Sequence, residues 1–166
     1  MESVKEYLHI DLEWSKNPYR KRTWDLKFDD ELICTITQGG FFFRKLHYVQ
    51  SKAGKWVIKR VGRDPYLYQV KNKVVVSPNL FQIGFKKKHK EGMFNPTKAD
   101  SFLWKKLEGK AKGMAWFYDG LEAVRFEYIK RTGKDKLNFR TSVIKGDLEE
   151  KWLAAMIIVG FIAMRG

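Results

Sequence analysis

The chain has 166 residues, 44% of them apolar and 31% charged, a balance that supports one packed core and excludes disordered, collagen-like and low-complexity architectures. Lys and Arg number 33 against 19 Asp and Glu, a formal net charge of +14, so the surface carries a positive field and an anion is the expected partner. A single cysteine, Cys34, leaves no internal disulfide, no secretory apolar segment opens the sequence, and Pro96 spoils Asn95-Pro96-Thr97 as a glycosylation acceptor; the cytoplasm is the expected compartment.

Short runs rich in β-branched and aromatic residues recur along the chain, at 4–12, 22–28, 32–37, 42–49, 56–61, 66–70, 74–77, 80–85, 102–106, 114–118, 123–129 and 137–143. They predict about twelve strands. Alternation is clean in several: Trp24, Leu26 and Phe28 oppose Asp25 and Lys27, and Val124, Phe126 and Tyr128 oppose Arg125, Glu127 and Ile129, the pattern of half-buried strands. Turn residues at 52–55, 118–120 and 132–135 suit hairpins of an antiparallel meander. The four prolines are scattered and no Ser/Gly/Pro-rich linker divides the sequence, so residues 1–166 read as one domain.

The period changes near the end of the chain. Gly146-Asp147 can stop a strand and cap a helix, and Glu149 and Glu150 then fall in a first turn, where carboxylates favour the helix dipole. A helix is expected at about 147–164. Leu153, Met156, Ile157, Gly160 and Phe161 form one face, yet Ala154, Ala155, Ile158, Val159, Ile162 and Ala163 leave no polar face opposite. A helix apolar all round must be enclosed. As a helix, 152–164 reaches only about 20 Å against a hydrocarbon core of roughly 30 Å, so no transmembrane span is expected and strands must do the enclosing. Eight strands fill their own interior, so admitting a helix about 10 Å across calls for a wider closed barrel, near the twelve strands counted. The predicted fold is mainly β: a closed antiparallel barrel of about twelve strands around a C-terminal apolar helix.

That layout resembles the tubby C-terminal-like superfamily, which includes LURP-one-related proteins and phospholipid scramblases. The local wording is similar to its short bacterial members: Asp29-Asp30-Glu31-Leu32 entering a strand, Phe43-Arg44-Lys45 leading towards Tyr48-Val49, Phe102-Leu103-Trp104-Lys105 before an Asp-Gly hairpin, and the terminal Leu-Ala-Ala-Met-Ile-Ile-Val helix. The resemblance implies phosphoinositide binding of the kind animal tubby proteins perform through Lys and Arg on the barrel, without assigning that pocket to residues of this chain. It does not imply lipid scrambling: the Pro-rich amino-terminal region, the acylated cysteines and the Ca²⁺-responsive acidic segment of scramblases have no counterpart here. A pleckstrin-homology-like sandwich is the alternative fold, but its capping helix keeps a polar outer face.

Residues that carry covalent chemistry are sparse. His9, His47 and His89 are far apart and Cys34 lacks a Cys-x-x-Cys partner, so neither a metal nor a cofactor is expected. No Gly-x-Ser-x-Gly elbow marks a nucleophile, and Cys34 reads as a small core hydrophobe. Gly109-Lys110-Ala111-Lys112-Gly113 lacks phosphate-loop spacing, and Asp29, Asp30 and Glu31 read as a solvated turn. A non-enzymatic protein is expected.

Charge is the remaining signal. Lys86, Lys87, Lys88 and Lys90 follow the apolar run 80–85 and precede a loop at 91–96 in which Met93 and Phe94 could wedge into a membrane interface. Arg20, Lys21 and Arg22 form an auxiliary cluster beside Tyr19 and Trp24, with Lys130, Arg131, Lys134 and Lys136 flanking a further hairpin. The expected function is a monomeric, peripheral binding or scaffold module for anionic phosphate-bearing ligands, above all membrane lipid headgroups. Single-stranded nucleic acid is the alternative partner, since basic residues interleaved with aromatics can track a backbone and stack its bases. The plain reading of a lysine run is a solubilising edge.

Overall fold

Side-chain alternation sets the barrel wall. In β1 (Asp11–Lys16) Leu12 and Trp14 are fully buried between exposed Asp11 and Glu13; in β2 (Thr23–Phe28) Trp24 and Leu26 turn inward; and in β3 (Glu31–Gln38) Cys34 and Ile36 do so. The meander continues through β4 (Leu46–Ser51), β5 (Gly54–Val61), β6 (Asp64–Lys71), the two-residue β7 (Val74–Val75), β8 (Phe81–Lys86), β9 (Glu91–Phe94), β10 (Phe102–Lys106), β11 (Gly113–Tyr118), β12 (Leu121–Tyr128) and β13 (Phe139–Val143). The computed structural model describes residues 7–40, 45–51, 54–77, 79–129 and 139–165; the expected hairpin at 132–135 and part of the turn at 52–55 lie outside them.

Every strand pair is antiparallel, and the β5–β6 and β1–β13 pairings close the sheet into a 12-strand barrel, with β7 a short appendage on the end of β6. At a strand spacing of about 4.8 Å and a tilt near 40°, such a ring is about 24 Å across, wide enough to hold a helix.

That helix is α1 (Glu150–Arg165), three residues later at its start than expected. Every position from Ala155 to Ala163 is buried. Phe161 stacks on Trp14 with ring centroids 4.1 Å apart and tilts against Trp24 and Phe139. The Trp116 indole donates a 2.9 Å hydrogen bond to the Met156 carbonyl, tying β11 to the helix backbone. The ring of Phe126 lies on Gly160 so closely that a Cβ there would sit 2.3 Å from it. Gly160→Ala is therefore expected to destabilise the fold by about 1–3 kcal/mol through overpacking, despite alanine's better helix propensity; urea unfolding measures this, and a more stable variant would contradict the packing.

Two expectations need correcting. Residues 7–10 do not continue the first strand expected at 4–12: Tyr7 to Ile10 make a turn, with the Ile10 amide on the Tyr7 carbonyl at 3.0 Å and Leu8 in an isolated parallel bridge to Val143, and β1 begins at Asp11, while 4–6 lie outside the described residues. Residues 91–96 are not a loop, because 91–94 form β9. Phe94 is wholly buried and cannot wedge into a membrane, whereas Met93 is exposed. Gly92 in β9 makes room for the Phe85 ring, which a Cβ would approach at 2.7 Å.

Candidate anion-binding rim

In an antiparallel meander alternate hairpins share an end of the barrel. The β1–β2, β5–β6, β8–β9 and β10–β11 connections therefore lie on one rim, together with the C-terminal end of α1. That rim carries Arg20, Lys21 and Arg22, then Arg63, then Lys86 to Lys90, then Lys106, Lys110 and Lys112, and finally Arg165, against the carboxylates of Asp64, Glu91 and Glu108. The opposite rim carries Asp29, Asp30, Asp100, Asp119, Asp147 and Glu149, beside Lys73, Lys98, Lys145 and Lys151. The barrel is electrically polarised along its axis.

The two predicted clusters thus share a rim but not a patch. Around the ring, four strands separate the β1–β2 hairpin from the β8–β9 hairpin on either side, which puts them diametrically opposite. Lys130, Arg131, Lys134 and Lys136 lie outside the described residues.

The lysine hairpin is held in a costly shape. Pairing of Lys86 with Glu91 closes a four-residue turn in which Lys87, Lys88 and His89 have φ of 51°, 54° and 65°, a left-handed run that costs non-glycine residues about 1–2 kcal/mol each. Several contacts offset that cost. The His89 ring packs edge-on to Phe85 at 4.9 Å, the Trp104 indole donates to the His89 carbonyl at 3.0 Å, and Lys87 pairs with Glu91 at 2.9 Å. His89 is held inward, and its imidazole is shifted below its ordinary pKa chiefly by burial. Lys86, Lys88 and Lys90 stand exposed with no carboxylate partner among the described residues, so they are the free charges of the cluster, and Lys87 is partly neutralised.

The opposite hairpin is pinned by Asn17, whose Oδ1 accepts from the Tyr19 and Arg20 amides while its Nδ2 donates to Asp25 at 3.0 Å. Tyr19 is 93% exposed. Beside it runs an outer groove of about 700 Å³ lined by Arg20, Leu32, Ile33, Thr35 and Gln50 among others. Cys34 also reaches this groove, but burial, with the Asp25 charge adding to it, pushes its thiol up to about 12, so it stays protonated and unreactive.

Sequence reasoning missed the cations inside the rim. Arg60 continues the inward phase of Trp56 and Ile58 on β5, and His47 that of Val49 on β4, so both point into the barrel mouth. Arg165 closes the helix with its guanidinium 3.6 Å over the Trp24 ring. The phase of Arg60 was readable from its strand, but its convergence with a residue 105 positions later was not.

All six tryptophans lie in the barrel wall or on the helix, and Trp14, Trp24, Trp56, Trp104 and Trp116 are buried. The aromatics that stand exposed among the described residues are Tyr19, Tyr48 and Tyr128. Those described residues also hold no group of three or more metal-ligating side chains, and no helix among them is long and apolar enough to cross a membrane. Compared with family models, curated proteins and solved structures, the chain matches none.

Proposed function

We propose that this protein is a non-enzymatic binding module of the tubby-like kind that docks its basic rim on anionic phosphate-bearing surfaces, in first place the headgroups of a cytoplasmic membrane leaflet. The observation that carries the reading is the shared rim: hairpins distant in sequence turn their cations the same way and outnumber the carboxylates Asp64, Glu91 and Glu108 there, while the other end carries Asp29, Asp30, Asp100, Asp119, Asp147 and Glu149. A polarised body about 24 Å wide meets a flat anionic surface end-on, with both clusters engaged and the acidic end turned away. Exposed Met93, 47% accessible, and Leu103, 43% accessible, face each other across β9 and β10 on the outer wall, set back from the basic rim. The tubby-like assignment is supported by the 12-strand barrel with its enclosed C-terminal helix.

Nucleic acid is the weaker reading, because base stacking needs exposed rings and the tryptophans are committed to the core.

Each lysine near an anionic surface contributes about 1 kcal/mol. With Lys87 already paired to Glu91, replacing Lys86, Lys87, Lys88 and Lys90 by Gln is expected to weaken binding to phosphatidylserine-containing vesicles about a hundredfold, and added salt to weaken the native protein in the same direction. Cosedimentation with anionic and neutral vesicles tests this. Undiminished binding by the quadruple variant would sink the site.

A further inference from the structure

Two buried side-chain nitrogens at the barrel mouth have no hydrogen-bond partner: the Nδ1 of His47 and the Nε of Arg60. His47 is only 6% exposed. An unpaired buried polar group costs about 1–3 kcal/mol, and folded proteins rarely leave two of them side by side. Arg125 and Arg140 also leave Nε unpaired, but each lies within 3.3–3.7 Å of carboxylates on the outer wall. Arg60 has no such carboxylate among the described residues. The charges that act on His47 are both cationic, Arg60 and Arg165. Of the acids on neighbouring strands, Asp25 is held by Asn17 and Thr35, and Asp64 accepts the Phe85 amide through Oδ1. The helix end adds about half a negative charge, which one guanidinium offsets, so the mouth keeps a positive excess with its N–H groups aimed inward.

We infer that His47, Arg60 and Arg165 form a site at the barrel mouth for one doubly charged tetrahedral oxyanion, the terminal group of a phosphate monoester or inorganic phosphate. Three donor groups converge from β4, β5 and α1, and a monoester offers three unsubstituted oxygens where a diester offers two. The Arg60 guanidinium presents the two-pronged edge that holds an oxyanion bidentately, and the neutral imidazole of His47, in the tautomer with its proton on Nδ1, would donate a further bond. Arg22, whose guanidinium lies 3.6 Å from where a Gly40 Cβ would be, adds charge from the adjoining hairpin. The site deepens the proposed function by supplying headgroup selectivity, yet it does not use the rim lysines.

The test follows the His47 imidazole signal by NMR while inorganic phosphate is titrated into the native protein, with sodium chloride at matched ionic strength as the control. A saturable shift of that signal, accompanied by a rise in Tm, is expected, weakened about tenfold or more in Arg60→Gln and in Arg165→Gln and partly restored in Arg60→Lys. The quadruple lysine variant should bind phosphate as the native protein does, which separates this site from the rim. A native His47 signal that ignores phosphate, an unchanged affinity in folded Arg60→Gln, or loss of phosphate binding in the lysine variant would each overturn the assignment; the first needs no variant. Vesicles containing phosphatidic acid or phosphatidylglycerol at equal charge then identify the source. Preference for phosphatidic acid makes the anion a lipid headgroup, and equal binding with the phosphate titration retained makes it a free ion.

Discussion

Aspartate introduced singly at Met156, Ile157, Ile158 or Val159 is expected to cost at least about 4 kcal/mol at every one of the four positions. Successive helix residues are about 100° apart, so these four sample the whole circumference, and each is buried. A carboxylate there must either ionise without a partner or remain protonated at neutral pH, and both outcomes draw on a total stability of only about 5–15 kcal/mol. An amphipathic helix lying on the barrel would tolerate one of the four. Soluble yield and urea midpoints of the four variants decide the matter, and a single stable aspartate variant would show that the helix has an open flank.

Acid is expected to weaken the native fold through His47. Burial first, then the Arg60 and Arg165 charges, lower its pKa from 6.5 to about 4. Between those two values the unfolded chain binds a proton that the native protein does not, so stability falls as pH drops through this window and the contribution is complete above pH 6.5. At about 1.4 kcal/mol per unit of pKa difference, the full effect approaches about 3 kcal/mol. Carboxylates titrate in part of the same range, and the comparison with His47→Leu isolates the histidine: the native protein should lose stability more steeply between pH 7 and pH 4 than the variant. Parallel pH profiles would mean that His47 is not held neutral. The measurement belongs in phosphate-free buffer, since an oxyanion at the barrel mouth would favour the imidazolium and flatten the profile.

Local pattern and global placement were legible to different degrees. Strands with large inward residues, such as β2 with Trp24 and Leu26, were readable because alternation is a two-residue signal. The strand β9 was not, because Gly92 interrupts the pattern and the feature that makes it a strand, the Phe85 ring lying over that glycine, comes from another strand. Residues 7–10 misled for the opposite reason: the apolar side chains of Tyr7 and Leu8 suit a turn against the barrel end as well as they suit a strand. The lysine cluster was visible as a run of charges, but not the Glu91 pairing that partly silences Lys87, nor the left-handed turn that presents Lys88.

The amino-acid sequence alone determined the strand content, the all-round apolar helix and therefore the need for a closed wall to contain it, because burial of apolar surface leaves a periodic record in the order of residues. Only the tertiary structure decided that Arg20 to Arg22 and Lys86 to Lys90 face the same way from opposite sides of one rim, and that His47, Arg60 and Arg165 meet inside it. Charges act through space and not along the chain, so their convergence depends on strand direction and closure, which no local window of residues encodes.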